Sequence, residues 1–324
     1  PVIFIEAIAR AFQQTDSAKA LEAELSVAMA TPFLFEEFAK ALKSGTNSSP
    51  GNSGVSYRLL QVAPEAVQRE VFALLQGFWA EDCTPDQWRQ VILVLIQKDQ
   101  AKPAALGNFR PIGLLEVLRK VWTKMILSRI LPLMKKHSVL QPNQFAFLPG
   151  KGTASELIQL INVLEEVVEN NLEIDLTTAD VKGAFDSPER TAQWASWRRI
   201  GIPDKLATYL VNLGALSQYR LSSPYGMRED LDPTAEGVIP ETDCPWGGWG
   251  TRGGTQGDPL STLGWVVFMD TLLTALNEVQ REFPFYIRHN GSTLILQLPV
   301  CYADDLHNIG SCREATIKAN CVIS

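Results

Sequence analysis

The sequence predicts an α+β fold, and its hydrophobic pattern carries that prediction. In the first half, apolar residues recur at helical spacing, most extensively from about Leu114 to Leu133. A short continuous apolar run, Val91 to Ile96, is typical of a buried strand. In the second half, one short strand ends at Asp180 and another leads into Asp304. Mostly helical sequence followed by acid-bearing strands favours an α+β architecture over an alternating α/β one.

The N-terminal part is predicted to be helical over residues 1–43. Thr31 is positioned to cap a helix with Pro32 at its first turn. The stretch from Ser44 to Ser56 is rich in Ser, Gly, Asn and Pro and predicts a loop. A further helix is expected to start near Pro64. Its predicted buried face consists of Val67, Val71, Leu74, Leu75 and Phe78.

A helix is also predicted from Thr153, where Thr153 and Glu156 have the spacing of a capping box. Further helices are expected between the strand ending at Asp180 and about Leu216. The predicted apolar stripe of the helix from Thr153 is Leu157, Leu160, Ile161, Leu164, Val167 and Val168.

The last third is predicted to contain a long loop, a helix and a hairpin. A Gly-, Pro- and Trp-rich stretch from Ser222 to Gly254 indicates the loop. The helix is expected from about Leu260 to Val279, and a strand from Leu294 to Val300 then leads into a turn at Ala303 and Asp304.

Composition excludes several classes of protein. The 324 residues are 46% hydrophobic and 20% charged, which suits a globular chain of about two domains rather than a disordered one. No uninterrupted apolar run approaches the roughly 18 residues that span a bilayer, so no membrane contact is expected. The five cysteines form no C-x-x-C pair, which predicts no zinc site and an intracellular, reducing environment.

The net charge of −7 is unevenly distributed along the chain. Residues 98–136 carry nine basic and two acidic side chains, so this stretch has a net charge of +7 and the remainder −14. A basic segment on an acidic body is what local phosphate binding requires. The alternative is an ordinary solvated helix face.

Three aspartates, Asp180, Asp304 and Asp305, interrupt apolar surroundings. A lone Asp-Asp pair is also common in surface turns, which is the alternative for Asp304 and Asp305. If the strand ending at Asp180 lies beside the hairpin, however, three carboxylates meet at one sheet end and need a cation to offset their repulsion. Oxygen ligands without His or Cys select Mg²⁺ or Mn²⁺, and two such ions are suited to phosphoryl transfer.

Several motifs in order resemble the reverse transcriptases of non-LTR (LINE-type) retrotransposons and, more distantly, those of group II introns. The resemblance covers roughly residues 31–310. The motifs are T-P-F-L-F-E-E-F-A-K-A-L-K, S-P-G-N-S-G, D-Q-W-R-Q-V-I-L-V-L-I-Q-K-D, N-F-R-P-I-G-L-L, Q-P-N-Q-F-A-F-L-P-G-K-G-T, A-D-V-K-G-A-F-D, R-G-G-T-Q-G-D-P-L-S and Y-A-D-D.

The resemblance implies a right-hand polymerase with fingers and a palm whose antiparallel sheet is backed by helices. It divides the chain into an N-terminal helical extension (1–43), fingers (44–179) and a palm (180–324). Nineteen residues follow Asp305, so we expect the rest of the palm and the thumb to be missing from this stretch. The implied partners are an RNA template, a DNA or RNA primer and deoxynucleoside triphosphates, and the implied location is the nucleus.

The resemblance also implies roles for single residues. Asp180 and Asp304 would bind two Mg²⁺ ions (or Mn²⁺) with the Val181 carbonyl, and Asp305 would assist. Phe185 would exclude the ribose 2′-hydroxyl, although an ordinary core phenylalanine is the alternative. The implied nucleotide-binding residues are Lys98 (with Lys102 as its rival), Arg110, Gly183, Ala184, Gln256 and Gly257. The implied primer and template contacts are Tyr302, Lys120 and Lys124.

Two other functions fit part of this pattern. A viral RNA-dependent RNA polymerase shares the palm metals, and Asp186 mimics the second aspartate of its first palm motif. A non-catalytic palm acting as a nucleic-acid scaffold would usually lose the metal carboxylates, whereas all three are present here. The stretch from Ser223 to Gly250 is longer than the resemblance predicts. Stacking of its Trp246 and Trp249 on bases is one interpretation, and a mobile loop whose tryptophans pack on the protein is the favoured alternative.

Overall fold

The fold was analysed in a computed structural model, which describes residues 12–46, 48–103, 108–181, 183–215, 217–223, 226–227, 252–284, 286–289, 292–295 and 299–323. The helices are α1 (Asp16–Ala30), α2 (Phe35–Lys43), α3 (Tyr57–Val62), α4 (Glu65–Ala80), α5 (Val117–Lys136), α6 (Thr153–Glu169), α7 (Arg190–Arg199), α8 (Asp204–Ala215), α9 (Pro259–Glu282) and α10 (Arg313–Ile323). The strands are β1 (Gln90–Gln97), β2 (Phe109–Leu114), β3 (Asp175–Asp180), β4 (Gln218–Ser223), β5 (Gly226–Met227), β6 (Tyr286–His289), β7 (Ser292–Ile295), β8 (Val300–Tyr302) and β9 (Asp305–Gly310).

Helix α5 forms the centre of the largest hydrophobic core. It is buried on nearly all sides, so its buried surface is wider than the single apolar stripe of the amphipathic helix that the sequence predicted. Helices α1, α2 and α9 pack against it. The indole N–H of Trp122 also donates a hydrogen bond to the hydroxyl of Tyr209 on α8 at 2.9 Å. The N-terminal helices therefore belong to the same core as α5 rather than forming a separate unit.

The first sheet has the strand order β2-β1-β4-β5. Strand β1 pairs antiparallel with β2 and parallel with β4. Pro111 lies in β2, where the missing N–H is tolerated because β2 is an edge strand. The β1–β4 pairing joins residues more than a hundred positions apart, from Gln90 beside Gln218 to Val94 beside Ser222.

The second sheet has the order β3-β9-β8 and is antiparallel throughout. Side chains alternate between its two faces. Leu306 faces a core formed with α9 and α10, whereas Ile309 faces a smaller core that includes Val163 and Val167 of α6. The sheet is thus covered by α6 on one side and by α9 and α10 on the other.

The predicted start of α2 was wrong, and so was the predicted cap of α6. Thr31 ends α1, because both its N–H and its hydroxyl donate to the carbonyl of Val27. Helix α2 begins at Phe35 instead, where Glu37 accepts a hydrogen bond from the N–H of Leu34 at 2.7 Å. Helix α6 begins at Thr153 itself, after Gly152, so Thr153 cannot act as its cap.

The predicted buried stripes of α4 and α6 were only partly correct. On α4, Leu75 is buried but Val67 and Leu74 are exposed. On α6, the sheet covers the side that bears Glu156, Val163 and Val167. The large apolar residues left exposed on α6 are Leu157, Ile158, Ile161 and Val168. Helical spacing shows that apolar residues share a side, but it does not show how much of that side a neighbour covers.

One prediction for the C-terminal third also needs correction. The single strand expected from Leu294 to Val300 is two strands, because β7 pairs with β6 and β8 pairs with β9.

Helix α9 is long and apolar enough to span a membrane by length and composition, although polar residues interrupt its sequence. Of its most apolar stretch, 56% is buried inside the protein, so within the described residues α9 packs as a core helix. Trp246 and Trp249 lie outside the described residues.

Candidate active site

The three predicted aspartates lie at one end of the second sheet. Asp180 ends β3 directly opposite Asp305 of β9, and Asp305 is paired with Tyr302 across the hairpin. The N–H of Val181 donates to the carbonyl of Asp304 at 3.3 Å, which ties the end of β3 to the turn between β8 and β9. The structure therefore brings together Asp180, Val181, Tyr302, Asp304 and Asp305, as the sequence predicted.

The electrostatics of this sheet end suit a cation. Burial raises the pKa of the Asp304 carboxyl, and the negative charges of Asp305 and Asp180 raise it further, while the Asp304 backbone N–H acts in the opposite direction. A divalent ion would relieve this repulsion, and the donors are all oxygens, which Mg²⁺ and Mn²⁺ prefer. Among the described residues, no group of three or more His, Cys, Asp or Glu side chains is already arranged as a metal site. The donor set fits such an ion in its chemistry.

A tight turn follows the end of β3. Gly183 has a φ of +66°, which few residues other than glycine adopt. Its carbonyl accepts hydrogen bonds from the N–H of Asp186 at 2.9 Å and from the hydroxyl of Ser187 at 2.7 Å. Ala184 is buried, and the Phe185 ring lies between Phe147 and Trp265, with centroid distances of 6.2 and 6.0 Å. Phe185 is therefore a partly buried side chain at the rim of the core that the second sheet forms with α9 and α10.

The glycine-rich segment of residues 252–258 packs against that turn. A β-carbon on Gly253 would lie 2.6 Å from the carbonyl oxygen of Phe185, so only glycine fits. On the other side, Gly257 has a φ of +109°, and the N–H of Gly113 on β2 donates to the carbonyl of Gln256 at 2.7 Å. The segment thus connects the Phe185 turn to the first sheet and places Gln256 and Gly257 between the two sheets.

Comparison with known proteins decides the family. Residues 96–321, well over half of the chain, match the family described as reverse transcriptase (RNA-dependent DNA polymerase). The chain belongs to the reverse transcriptase family.

Three of the relatives with curated descriptions are mobile-element proteins of the fruit fly Drosophila melanogaster. The chain is 24% identical over 176 residues to a probable RNA-directed DNA polymerase from transposon BS. The aligned stretch covers 54% of this chain and 19% of that protein. It is 24% identical over 191 residues to the RNA-directed DNA polymerase from mobile element jockey, covering 59% of this chain and 20% of that one. A Pol polyprotein from the type-2 retrotransposable element R2DM is 24% identical over 241 residues, which are 74% of this chain and 20% of the relative. The chain spans about a fifth of the length of these relatives.

In this reverse transcriptase domain, Lys98 and Lys102, the two candidates for the nucleotide-binding lysine, have different surroundings. Lys98 is exposed just beyond the end of β1. Partial loss of solvent raises the pKa of Asp186, and the charge of Lys98 lowers it, so Lys98 lies within electrostatic range of the turn that carries Phe185. Lys102 forms an exposed ion pair with Asp99 at 3.5 Å. Of the two, Lys98 is the one that faces the candidate site.

Arg110 lies on β2 opposite Ile96 of β1, and its side chain is exposed. It occupies the other end of β2 from Gly113, which contacts Gln256.

Several basic side chains of the segment 98–136 are already paired with carboxylates of the protein. Arg119 pairs with Asp258, Arg129 with Glu37, and Lys136 with Glu24. The surface that the sequence suggested is therefore much less basic than a count of residues implies.

Lys120 and Lys124 on α5 were expected to contact primer and template, but Lys120 does not lie at the surface. Its side chain is buried, with the ammonium group 3.4 Å from the hydroxyl of Ser48 and over the ring of Tyr57. Burial lowers the pKa of Lys120, and the charge of Lys124 lowers it further. Lys124 is half-buried and donates to the hydroxyl of Ser44 at 3.3 Å. The loop of residues 44–56 covers this side of α5, which the pattern of α5 alone could not show.

Two residues of the site were not singled out from the sequence. Gln144 and Trp265 both hydrogen-bond to the backbone of Ala303, in the turn that carries Asp304. Gln144 belongs to the motif Q-P-N-Q-F-A-F, where an amide inside an apolar stretch was the available signal. Trp265 lies in a helix whose apolar pattern gave no reason to separate it from the core.

Proposed function

We propose that this chain is the polymerase core of a non-LTR retroelement and adds deoxynucleotides to a primer 3′-hydroxyl on an RNA template. The observation that carries the proposal is the placement of Asp180, Asp304 and Asp305 at one sheet end of a reverse transcriptase domain. The three relatives described above are named as RNA-directed DNA polymerases or as a retrovirus-related Pol polyprotein, which supports the same activity.

The proposed architecture is the fingers and palm of a right-hand polymerase. In this assignment residues 1–43 are a helical extension, 44–179 the fingers and 180–324 the palm. The β3-β9-β8 sheet between α6 and the α9–α10 pair supports the palm assignment. Strand β4 joins β1 of the first sheet, so the two proposed parts share one sheet across their boundary.

Two Mg²⁺ ions, or Mn²⁺, are proposed as cofactors. Asp180, Asp304 and the carbonyl of Val181 would hold them, with Asp305 assisting. The ions would supply a Lewis acid that activates the primer hydroxyl and stabilises the charge on the leaving phosphate. The protein's own contribution is to orient the oxygens: β3 and β9 fix Asp180 opposite Asp305, and the Val181 hydrogen bond fixes the turn.

The residues around this sheet end are proposed to bind the incoming nucleotide. The exposed Lys98 and Arg110 would neutralise the triphosphate, and the backbone N–H groups of Gly183 and Ala184 would bind its oxygens. The ring of Phe185 would occupy the space that a ribose 2′-hydroxyl needs. Gln256 and Gly257, between the two sheets, would contact the sugar and the base.

Tyr302 is proposed to lie beside the primer end, because it pairs with Asp305 in the hairpin. Lys124, which is half-buried, is proposed to contact the template or primer backbone, whereas Lys120 is buried beneath the loop of residues 44–56 and is not assigned this contact. RNA binding by a Lys124→Glu variant at low salt tests this contact, and unchanged binding would remove it. Activity in the nucleus is the remaining part of the proposal, and localisation of the tagged protein in cells tests it.

The experiment that tests the function is primer extension with Asp180→Ala and Asp304→Ala. Both variants are expected to lose Mg²⁺-dependent synthesis while keeping the helical content of the wild type, because neutralising one of several repelling carboxylates does not weaken the fold. Asp175→Ala is the matched control, since Asp175 is an exposed aspartate at the opposite end of β3. Near-wild-type synthesis by either site variant would overturn the metal assignment.

A further inference from the structure

The turn that carries Asp304 has an unusual backbone. It consists of Ala303 and Asp304 between β8 and β9, and Ala303 has a φ of +55°. An alanine in this left-handed region costs about 1–2 kcal/mol, because its β-carbon approaches the following carbonyl. Surrounding contacts must therefore hold the turn in place.

Gln144 binds the N–H side of this turn. Its side chain is completely buried, and its Oε1 accepts hydrogen bonds from the N–H groups of Ala303 at 3.3 Å and Ala146 at 2.9 Å. Its Nε2 donates to the sulfur of Cys301 at 3.4 Å. Backbone hydrogen bonds between residues 143–145 and Cys301 fix the position of Gln144 itself.

Trp265 binds the carbonyl side of the same residue. Its indole N–H donates to the carbonyl oxygen of Ala303 at 2.9 Å, and the side chain is buried in α9. The same ring lies 6.0 Å from the ring of Phe185. The carbonyl of the next residue, Asp304, accepts from the N–H of Val181. Side chains from two distant segments thus bind both polar groups of the strained alanine.

We propose that Gln144 and Trp265 are positioning residues, which hold Ala303 in its left-handed conformation and so fix the direction of the Asp304 carboxylate. The proposal rests on the proposed function, because it assigns these residues to the binding of the catalytic metal ions. Groups that orient a metal ligand commonly change metal affinity or activity by about 10- to 100-fold when they are lost.

The test uses Gln144→Met and Trp265→Phe in the full chain. Methionine keeps the length of glutamine without its acceptor, and phenylalanine keeps most of the buried ring without the N–H donor. Matched controls are Gln141→Met, since Gln141 bonds to Thr274 and Asn277 of α9, and Trp122→Phe, since the Trp122 N–H bonds to Tyr209. The controls remove equivalent hydrogen bonds away from the turn.

Two measurements separate positioning from general stability. The first is Mn²⁺ affinity, from the electron paramagnetic resonance signal of the free ion; the second is the Mg²⁺ concentration that gives half-maximal primer extension. Both site variants are expected to lower the Mn²⁺ affinity, and to raise the Mg²⁺ concentration needed for half-maximal extension, by about tenfold or more. The control variants are expected to stay close to wild type in both measurements. A purely structural role would lower the folded fraction in site and control variants alike and leave the affinity of the folded molecules unchanged.

A double variant tests the link to Ala303. Glycine adopts positive φ without strain, so in the Ala303→Gly background the loss of Mn²⁺ affinity caused by Gln144→Met is expected to shrink. An undiminished loss would overturn the role assigned to the strained backbone. Should Gln144→Met not fold, Trp265→Phe carries the test, because it changes only one buried group.

Failure of the inference and failure of the proposed function give different results. Folded site variants that bind Mn²⁺ as the wild type does would overturn the inference and leave the polymerase function intact. A full-length wild-type protein that binds Mn²⁺ but extends no primer would overturn the proposed function, and the affinities of the variants would still decide the positioning roles.

Discussion

Arg119 on α5 donates a hydrogen bond to Asp258 at the start of α9, with 2.6 Å between the atoms and side chains only 1% and 3% exposed. The same arginine donates to the carbonyl of Trp88 at 2.7 Å, and Asp258 also caps α9 through the N–H of Leu260. The pair therefore joins the central helix of the large core to the segment that carries Gln256 and Gly257. Because both charges are removed from water, either one is costly without the other.

The first prediction is that Asp258→Asn destabilises the protein strongly. Asparagine can still cap α9 but leaves the Arg119 charge without its partner, and losing one member of a buried pair costs about 3–5 kcal/mol. Urea denaturation measures the loss in the free energy of unfolding. Glu189→Gln is the control, because Glu189 pairs with Arg252 at the surface, where such pairs contribute about 0–1 kcal/mol. Equal losses in the two variants would contradict the prediction.

A second prediction separates Lys98 from Lys102. Lys98→Gln is expected to raise the KM for deoxynucleotides about tenfold, equivalent to ~1.4 kcal/mol, because its charge faces the turn of residues 183–187. Lys102→Gln is the matched control, since that lysine pairs with Asp99 in the neighbouring loop and its loss is expected to leave KM unchanged. Steady-state kinetics of single-nucleotide addition measures both. If Lys102→Gln raised KM more than Lys98→Gln, the assignment would be reversed.

The third prediction concerns sugar selection by Phe185. If its ring fills the space of the 2′-hydroxyl, Phe185→Val admits ribonucleotides, because the exclusion is steric and a shorter side chain removes it. The ratio of kcat/KM for each deoxynucleotide to that of its ribonucleotide is expected to fall at least about tenfold, or ~1.4 kcal/mol.

Phe268→Val is the control for this experiment. Phe268 packs in the same core, with its ring 5.8 Å from that of Trp265, so its truncation leaves a comparable cavity away from the turn. It is expected to lower both activities together without changing their ratio. A similar result for Phe185→Val would make Phe185 an ordinary core residue and would favour an RNA polymerase.

A fourth prediction follows from Glu37 and Arg129, which bind each other through two hydrogen bonds of 2.7 Å. The Arg129 guanidinium holds the pKa of Glu37 below its ordinary value of 4.5. Since the folded-state pKa is the lower one, the stabilisation is complete above pH 4.5 and is lost as the pH falls through the folded-state pKa. At neutral pH, Glu37→Gln is expected to cost about 1.5–3 kcal/mol, as for other hydrogen bonds to charged groups.

Denaturation at several pH values measures the difference in the free energy of unfolding between the wild type and Glu37→Gln. This difference is expected to shrink in acid. Glu65→Gln serves as the control, because Glu65 pairs with Arg69 on the exposed side of α4, where such pairs contribute about 0.3–0.5 kcal/mol. A difference between wild type and Glu37→Gln that persists well into the acid range would rule out the ionised pair as its source.

Hydrophobic spacing in the sequence was enough to predict β1, α5, α9 and the turn at Ala303 and Asp304, because each depends on residues close in the chain. It was not enough for β4, whose pairing with β1 is non-local and whose sequence is largely polar. The position of the aspartates followed from strand ends and from the resemblance. The roles of Gln144 and Trp265 could not follow, because their contacts with Ala303 join segments far apart in sequence.

Several basic side chains in residues 98–136 form ion pairs within the protein, and this changes how the protein interacts with a polyanion. Lys102, Arg119, Arg129 and Lys136 each have a carboxylate partner, so they have little charge left for phosphates. When a protein binds a single strand, the logarithm of its affinity falls linearly with the logarithm of the salt concentration. Each phosphate that the protein neutralises steepens that slope by only about 0.7. Long-range attraction through this segment is therefore expected to be weak on a body with a net charge of −7, and an RNA bound there would be held by short-range contacts rather than by a broad positive field.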